Sequence, residues 1–199
     1  MYSWGRTAAS ADEQQRRQES FQLHRILALR AISLVFAMAK PVSPYRSLPP
    51  ARRVALLTQF IKSSPQAREL YVQRMASRPG GFRIVTLRAW PADRLAAEVV
   101  RLNAQTAQDE LDLLHFLYVE LEPAIQITFL DAAGVPHENG VMPEDLEIPY
   151  ADESAVARAA AVTREQHGDD GERYLKTLAR YSPSAWPGID RVAGGIAQE

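Results

Sequence analysis

Asp112 and His115 are the best-spaced pair for metal chemistry in this chain. Residues three apart on a helix project from one face. Carboxylate-bridged di-metal sites in helical bundles draw ligands from such pairs, but they need a second carboxylate–histidine pair and two further carboxylates. Glu120 and Glu122 supply carboxylates, whereas His24, His137 and His167 have no acidic residue three positions before them. The competing role for His115 is a buried hydrogen bond beside Leu111 and Tyr118. No metal or other cofactor is therefore expected. A second oxygen-rich group, His137, Glu138, Glu144, Asp145 and Glu147, falls within one proline-containing stretch. Hard cations take such ligands, but the alternating Asp run of a calcium loop is missing, and the spacing favours a solvated acidic loop.

The third group is basic. Between residues 46 and 94 there are ten Lys or Arg residues against only Glu69 and Asp93, with Phe60, Tyr71, Phe82 and Trp90 interspersed and Tyr45 just before. Arg46, Arg52, Arg53, Arg68, Arg74 and Arg78 are the candidate contacts to a partner or to nucleic acid. Two short helices joined by Ser63-Ser64-Pro65 and followed by a strand loosely match a helix-turn-helix with part of a wing. In that reading the second helix presents Gln66, Arg68, Gln73 and Arg74. Phosphate contact itself needs only the cationic face. Nucleophilic chemistry finds no support: Gly-x-Ser-x-Gly is absent, and Gly80-Gly81 and Gly194-Gly195 lack the pattern of a phosphate-binding loop.

Behind these groups lies a division of charge. Residues 1–100 hold 16 basic and 6 acidic residues; residues 101–199 hold 7 and 18, and the two halves nearly cancel to a net of −1. Such asymmetry points to an anionic partner for the first half or a cationic one for the second. The alternative is that the halves face each other and neutralise internally. Of the 23 basic residues 20 are arginine, the side chain suited to bidentate contact with carboxylate or phosphate. The absence of cysteine excludes disulfides, thiolate metal sites and a cysteine nucleophile within these 199 residues.

The elements that must position these groups are mostly helical. Residues 1–10 read as a loose tail. Ser10 and Glu13 have capping-box spacing, and no Pro or Gly interrupts residues 11–40, which read as one long helix. Arg16-Arg17 followed by an apolar stretch and Ala37-Met38-Ala39 offers a rival reading, a secretory signal cleaved near Ala39. Its polar part is long and carries Asp12, Glu13 and Glu19, so a cytoplasmic location is expected, and no apolar run reaches the roughly 18 residues of a membrane span. Residues 41–50 are a stiff Pro-rich connection. Helices are expected over 50–62 and from Pro65 to about Ser77, then a strand over 82–87, which must pair with another strand, pair with another copy or lie extended across the helices; IQITFL (125–130) is the one other β-rich stretch that could partner it. Pro91 opens a central apolar helix to about Leu121, Pro123 kinks or restarts it, and Gly134 is a C-cap. Residues 135–150 form the acidic loop. Asp152 or Ser154 starts a helix to Gly168, a last one covers about 172–181, and the tail over 183–199 tucks Trp186 and Ile189 back onto the body.

The expected fold is a mostly α, single-domain bundle over residues 11–182, with a basic half (11–100) and an acidic half (101–182). About six to seven helices surround a central apolar helix, with one or two marginal β-strands. The expected function is a non-enzymatic interaction or scaffold protein that uses oppositely charged surfaces to bind partner proteins or itself. The alternatives are a nucleic-acid-binding regulator acting through residues 46–94 and a metal-dependent enzyme centred on Asp112 and His115.

Overall fold

Prolines and short polar side chains set where the helices begin. The computed structural model describes residues 43–194; the expected tail over 1–10, the helix over 11–40 and the Ala39 cleavage site lie outside the described residues. Helix α1 (Pro50–Ser63) carries proline in its first turn, where the missing N–H leaves no bond unmade, and buries Leu56, Leu57 and Ile61. Ser64 caps α2 (Pro65–Ala76), its hydroxyl accepting from the Ala67 N–H at 3.1 Å. After Gly81 comes a short helix α3 (Ile84–Ala89), then α4 (Ala92–Arg101), which buries Leu95, Ala96 and Val99.

The chain breaks after Leu102, with Asn103 at a φ of +48°. A capping box between Thr106 and Asp109 restarts it as α5 (Ala107–Phe116). Helix α5 widens into a single π-turn (Leu117–Leu121), where the Glu122 N–H reaches back to the Leu117 carbonyl at 2.7 Å. Pro123 then starts α6 (Pro123–Ala133), bent by 82° from the helix before it. Gly134 closes α6 at a φ of +72°, with the Val135 N–H on the Leu130 carbonyl and its own on Asp131. These are the paired bonds of a Schellman motif, which needs a left-handed residue at that point. Asp152 caps the long α7 (Glu153–Tyr181), interrupted by a non-helical Gly168, and α8 (Ile189–Ala193) follows.

Helices α1, α2 and α4 pack together with α3 against α2, while α6, α7 and α8 form a second group; α5 touches α1, and its π-turn leads into α6. Aromatic rings mark the continuity of the core. Phe60 meets Phe116 at 5.3 Å between α1 and α5. From the π-turn onward, Tyr118, Tyr174, Phe129, Trp186 and Tyr150 form a chain of edge contacts. Trp186 and Ile189 are buried, as the tail's composition suggests.

The mostly helical class holds, with two corrections. There is no strand among the described residues. Residues 82–87 end in α3, and IQITFL lies inside α6, whose buried Ile125, Phe129, Leu130 and Ala133 follow helical spacing. The continuous helix expected over Pro91–Leu121 is two helices, because the Thr106–Asp109 box closes a new N-terminus. No single described helix is long and apolar enough to cross a membrane.

Candidate functional site

The six candidate arginines separate by what holds them. Three reach into the acidic half of the chain. Arg74 on α2 pairs with Asp109, whose Oδ2 also accepts from the Thr106 N–H at 2.5 Å and hydroxyl at 2.6 Å. Arg46 donates through Nε to Glu110 Oε1 at 2.6 Å. Asp109 and Glu110 are buried, each in the first turn of α5, where the helix dipole favours negative charge. Arg52 spans two elements. Its Nη2 sits 2.6 and 2.8 Å from the two Glu122 oxygens at the bend, and its Nη1 is 2.5 Å from Asp170 on α7. Arg173 also pairs with Asp170 and reaches the Ser47 hydroxyl at 3.1 Å. These contacts form a seam joining the basic and acidic halves within one chain. Beside it, Gln105 donates to the Tyr45 hydroxyl at 3.1 Å, and burial pushes the Tyr45 pKa up to about 12 against the lowering influence of Arg53.

Two more candidates lie off the seam. Arg68 donates to the Trp90 and Arg88 carbonyls at 2.5 and 3.1 Å, closing the C-terminal end of α3 with positive charge. Arg53 is half-buried, with its Nε shielded and lacking an acceptor. Of the six candidates, only Arg78 is exposed and without an ion-pair partner among the described residues. Arg68 and Arg74, two of the four side chains of the proposed reading helix, are thus engaged by the fold. A third, Gln73, donates to Glu69 at 2.6 Å, and no wing strand follows.

Arg78 opens an arc within the basic segment over residues 46–94. The arc runs along residues 78–94 and includes exposed Arg83, which has no ion-pair partner among the described residues. Arg94 stacks on Trp90 with its guanidinium carbon 4.3 Å from the ring centroid, and Trp90 holds Phe82 in an edge contact at 4.7 Å. Val85 is 79% exposed and Phe82 40%. Arg88 is exposed at the arc's edge and pairs with Glu69 at 2.6 Å. The available signal was the bracketing of residues 82–89 by Pro79-Gly80-Gly81 and Trp90-Pro91, which leaves room for a short surface element and little else.

The acidic loop keeps its charges outward. His137 ties it down: Nδ1 accepts from the Gly140 N–H at 3.1 Å, and Nε2 lies 3.1 Å from Asp131 Oδ1. With Nδ1 accepting, the neutral ring donates from Nε2. The Gly140 carbonyl accepts from Gln126 on α6 at 2.7 Å. Both ring nitrogens of His137 are thereby used in positioning the turn. Glu138, Glu144, Asp145 and Glu147 are all exposed without an ion pair among the described residues, around Val141 (64% exposed) and Ile148 (60% exposed).

Asp112 and His115 both lie on the exposed side of α5. Desolvation holds the Asp112 carboxyl above its usual range, against the lowering effect of the hydrogen bond from Gln108 at 2.9 Å. No group of three or more His, Asp or Glu residues among the described residues is arranged to hold a metal ion. Comparison of the chain with protein-family models, with curated proteins and with solved structures gives no match.

Proposed function

We propose that the chain is a non-enzymatic helical interaction module that docks protein partners through two exposed surfaces of opposite charge. The observation that carries this reading is the contrast in how the charges are used. The seam consumes Arg46, Arg52 and Arg74, whereas Arg78 and Arg83 on one side and Glu138, Glu144, Asp145 and Glu147 on the other stay exposed and unpaired among the described residues. Each set shares its segment with apolar side chains open to water, Phe82 and Val85 in the arc and Val141 and Ile148 in the loop. Apolar side chains rimmed by charge suit a protein interface, in which the apolar groups supply desolvation and the charges supply orientation and encounter rate. Phosphate recognition has no use for exposed Val and Ile, which favours protein over nucleic acid.

Affinity capture with two baits tests this reading. One bait is the wild-type chain; the other carries Arg78→Ser, Arg83→Ser, Glu144→Ser and Glu147→Ser, with circular dichroism confirming the same fold. A polypeptide captured by the first and lost from the second is the expected result. Equal capture by both overturns it. Anisotropy titration with labelled duplex and single-stranded DNA is the companion measurement. Tight binding with a steep salt slope that flattens on Arg78→Ala with Arg83→Ala would make nucleic acid the partner instead.

A further inference from the structure

Resting on that reading, we infer that the partner of the arc is the acidic loop of a second copy, so that the chain associates head to tail. The two surfaces complement each other in kind. The arc carries exposed Arg78 and Arg83 with exposed Phe82 and Val85 within residues 78–85; the loop carries exposed Glu138, Glu144, Asp145 and Glu147 with exposed Val141 and Ile148 within residues 138–148. Within the chain, no ion pair among the described residues joins any of these arginines to any of these carboxylates. The attraction between the basic and acidic halves is satisfied intramolecularly elsewhere, through Arg46–Glu110, Arg74–Asp109 and Arg52 with Glu122 and Asp170. The arc and the loop are a cationic and an anionic surface on the same polypeptide, at equal concentration by construction. The net charge of −1 removes the whole-molecule repulsion that keeps strongly charged proteins apart. A head-to-tail contact is heterologous: each copy uses its arc on one neighbour and its loop on the other. Such contacts build rings or open filaments instead of a two-fold dimer.

The test uses the full chain and two surface substitutions, Val85→Asp in the arc and Ile148→Asp in the loop. Both positions are exposed, so neither change disturbs the core. Sedimentation or light scattering of the wild type is expected to give a mass that rises with concentration at about 50 mM salt. It should return to the single-chain value of 22.2 kDa at about 500 mM, where exposed charges are screened. Each variant alone should stay at the single-chain mass. An equimolar mixture keeps one intact arc and one intact loop, and its two spent ends each carry an introduced carboxylate in place of the apolar contact. It should therefore stop at two chains. A wild type that is monomeric at every concentration in low salt overturns the inference, as do variants that assemble like the wild type. A mixture that stays monomeric also overturns it, because one shared face would then carry both lesions. If the wild type is monomeric while capture still depends on the arc and loop, the interaction reading stands and only the second copy is removed.

Discussion

The seam at the start of α5 and the arc around α3 are both built from arginine, yet they put it to opposite uses. In the seam, Arg74 and Arg46 meet Asp109 and Glu110, carboxylates whose side chains are only 5% exposed. In the arc, Arg78 and Arg83 face water. A charge in the first setting is part of the fold, because removing its partner strands a buried ion. A charge in the second contributes little to folding, because solvent screens it. The division of +10 and −11 along the sequence therefore mixes two quantities, charge spent on joining the halves and charge left for partners.

The sharpest way to break this comparison is Asp109→Ala. The change removes the acceptor of the Thr106 N–H and hydroxyl and the counter-charge of Arg74 together. Loss of an N-cap interaction costs about 1 kcal/mol, and loss of a charge-assisted bond a further 1.5–3, so about 3 kcal/mol is expected from urea unfolding. Asp109→Asn keeps a capping oxygen without the charge and should lose roughly half as much. A midpoint unchanged in Asp109→Ala would mean the seam is ornamental.

The far anchor of the seam depends on the shape of α7. Gly168 adopts φ +52° and ψ −128°, a conformation open to glycine. A Cβ on Gly171 would approach the Thr163 carbonyl oxygen to 2.4 Å, a clash with backbone that no rotamer relieves. Asp170, which receives Arg52 and Arg173, sits between them. Gly171→Ala is expected to cost about 2 kcal/mol, the middle of the range for overpacking, read as a lower melting temperature. A wild-type melting temperature would show that the kink yields freely and that Asp170 is not held in place.

The seam also predicts an alkaline limit. Tyr45 has its pKa raised to about 12 in the fold, from an ordinary value of 10, by burial. The unfolded chain then loses the proton first, so stability is unaffected below pH 10 and falls between pH 10 and 12. The slope approaches 1.4 kcal/mol per pH unit, about that much by pH 11. Burial pushes Tyr71, Tyr118 and Tyr174 in the same direction. Urea midpoints at pH 9 and 11, with tyrosinate absorbance, check this. Tyr45→Phe should shrink the difference, and ionisation of Tyr45 near pH 10 in the folded protein would contradict it.

The same contrast explains what was legible in the sequence. Local signals were readable: Pro50 and Pro65 in first turns, Ser64 and Asp152 as caps, Gly134 as a C-cap. Signals that depend on distant residues were not. The segment over 82–87 has the β-branched and aromatic composition of a strand. It ends in a helix whose last carbonyls are capped by Arg68, 20 residues earlier, and it has no neighbouring strand to pair with. IQITFL has strand composition too, but Pro123 and Gly134 bracket it and its buried positions fall on one helical face. The break before α5 carried a readable Thr-x-x-Asp signature, hidden because no Pro or Gly marked it. At the candidate site, the fate of each arginine was illegible because it was set by carboxylates far away in sequence. Arg52 and Asp170 are 118 residues apart, and nothing in the local pattern of Arg52 separates it from Arg78.

The smallest expected effect sharpens the comparison most. Arg78→Ala and Arg83→Ala should each change the unfolding free energy by less than about 0.5 kcal/mol, as surface substitutions away from buried networks do. Arg52→Ala, which empties the fork between Glu122 and Asp170, should cost about 1 kcal/mol or more. All three remove one guanidinium from the basic half and change the net charge equally, so composition alone predicts one result for the set. If the arc variants weaken partner binding while melting like the wild type, and Arg52→Ala does the reverse, each charge acts through its burial and partner rather than its place in the sequence. Equal melting losses across the three would mean instead that the basic half stabilises the fold as a diffuse field, and the arc would have no claim to be a surface reserved for binding.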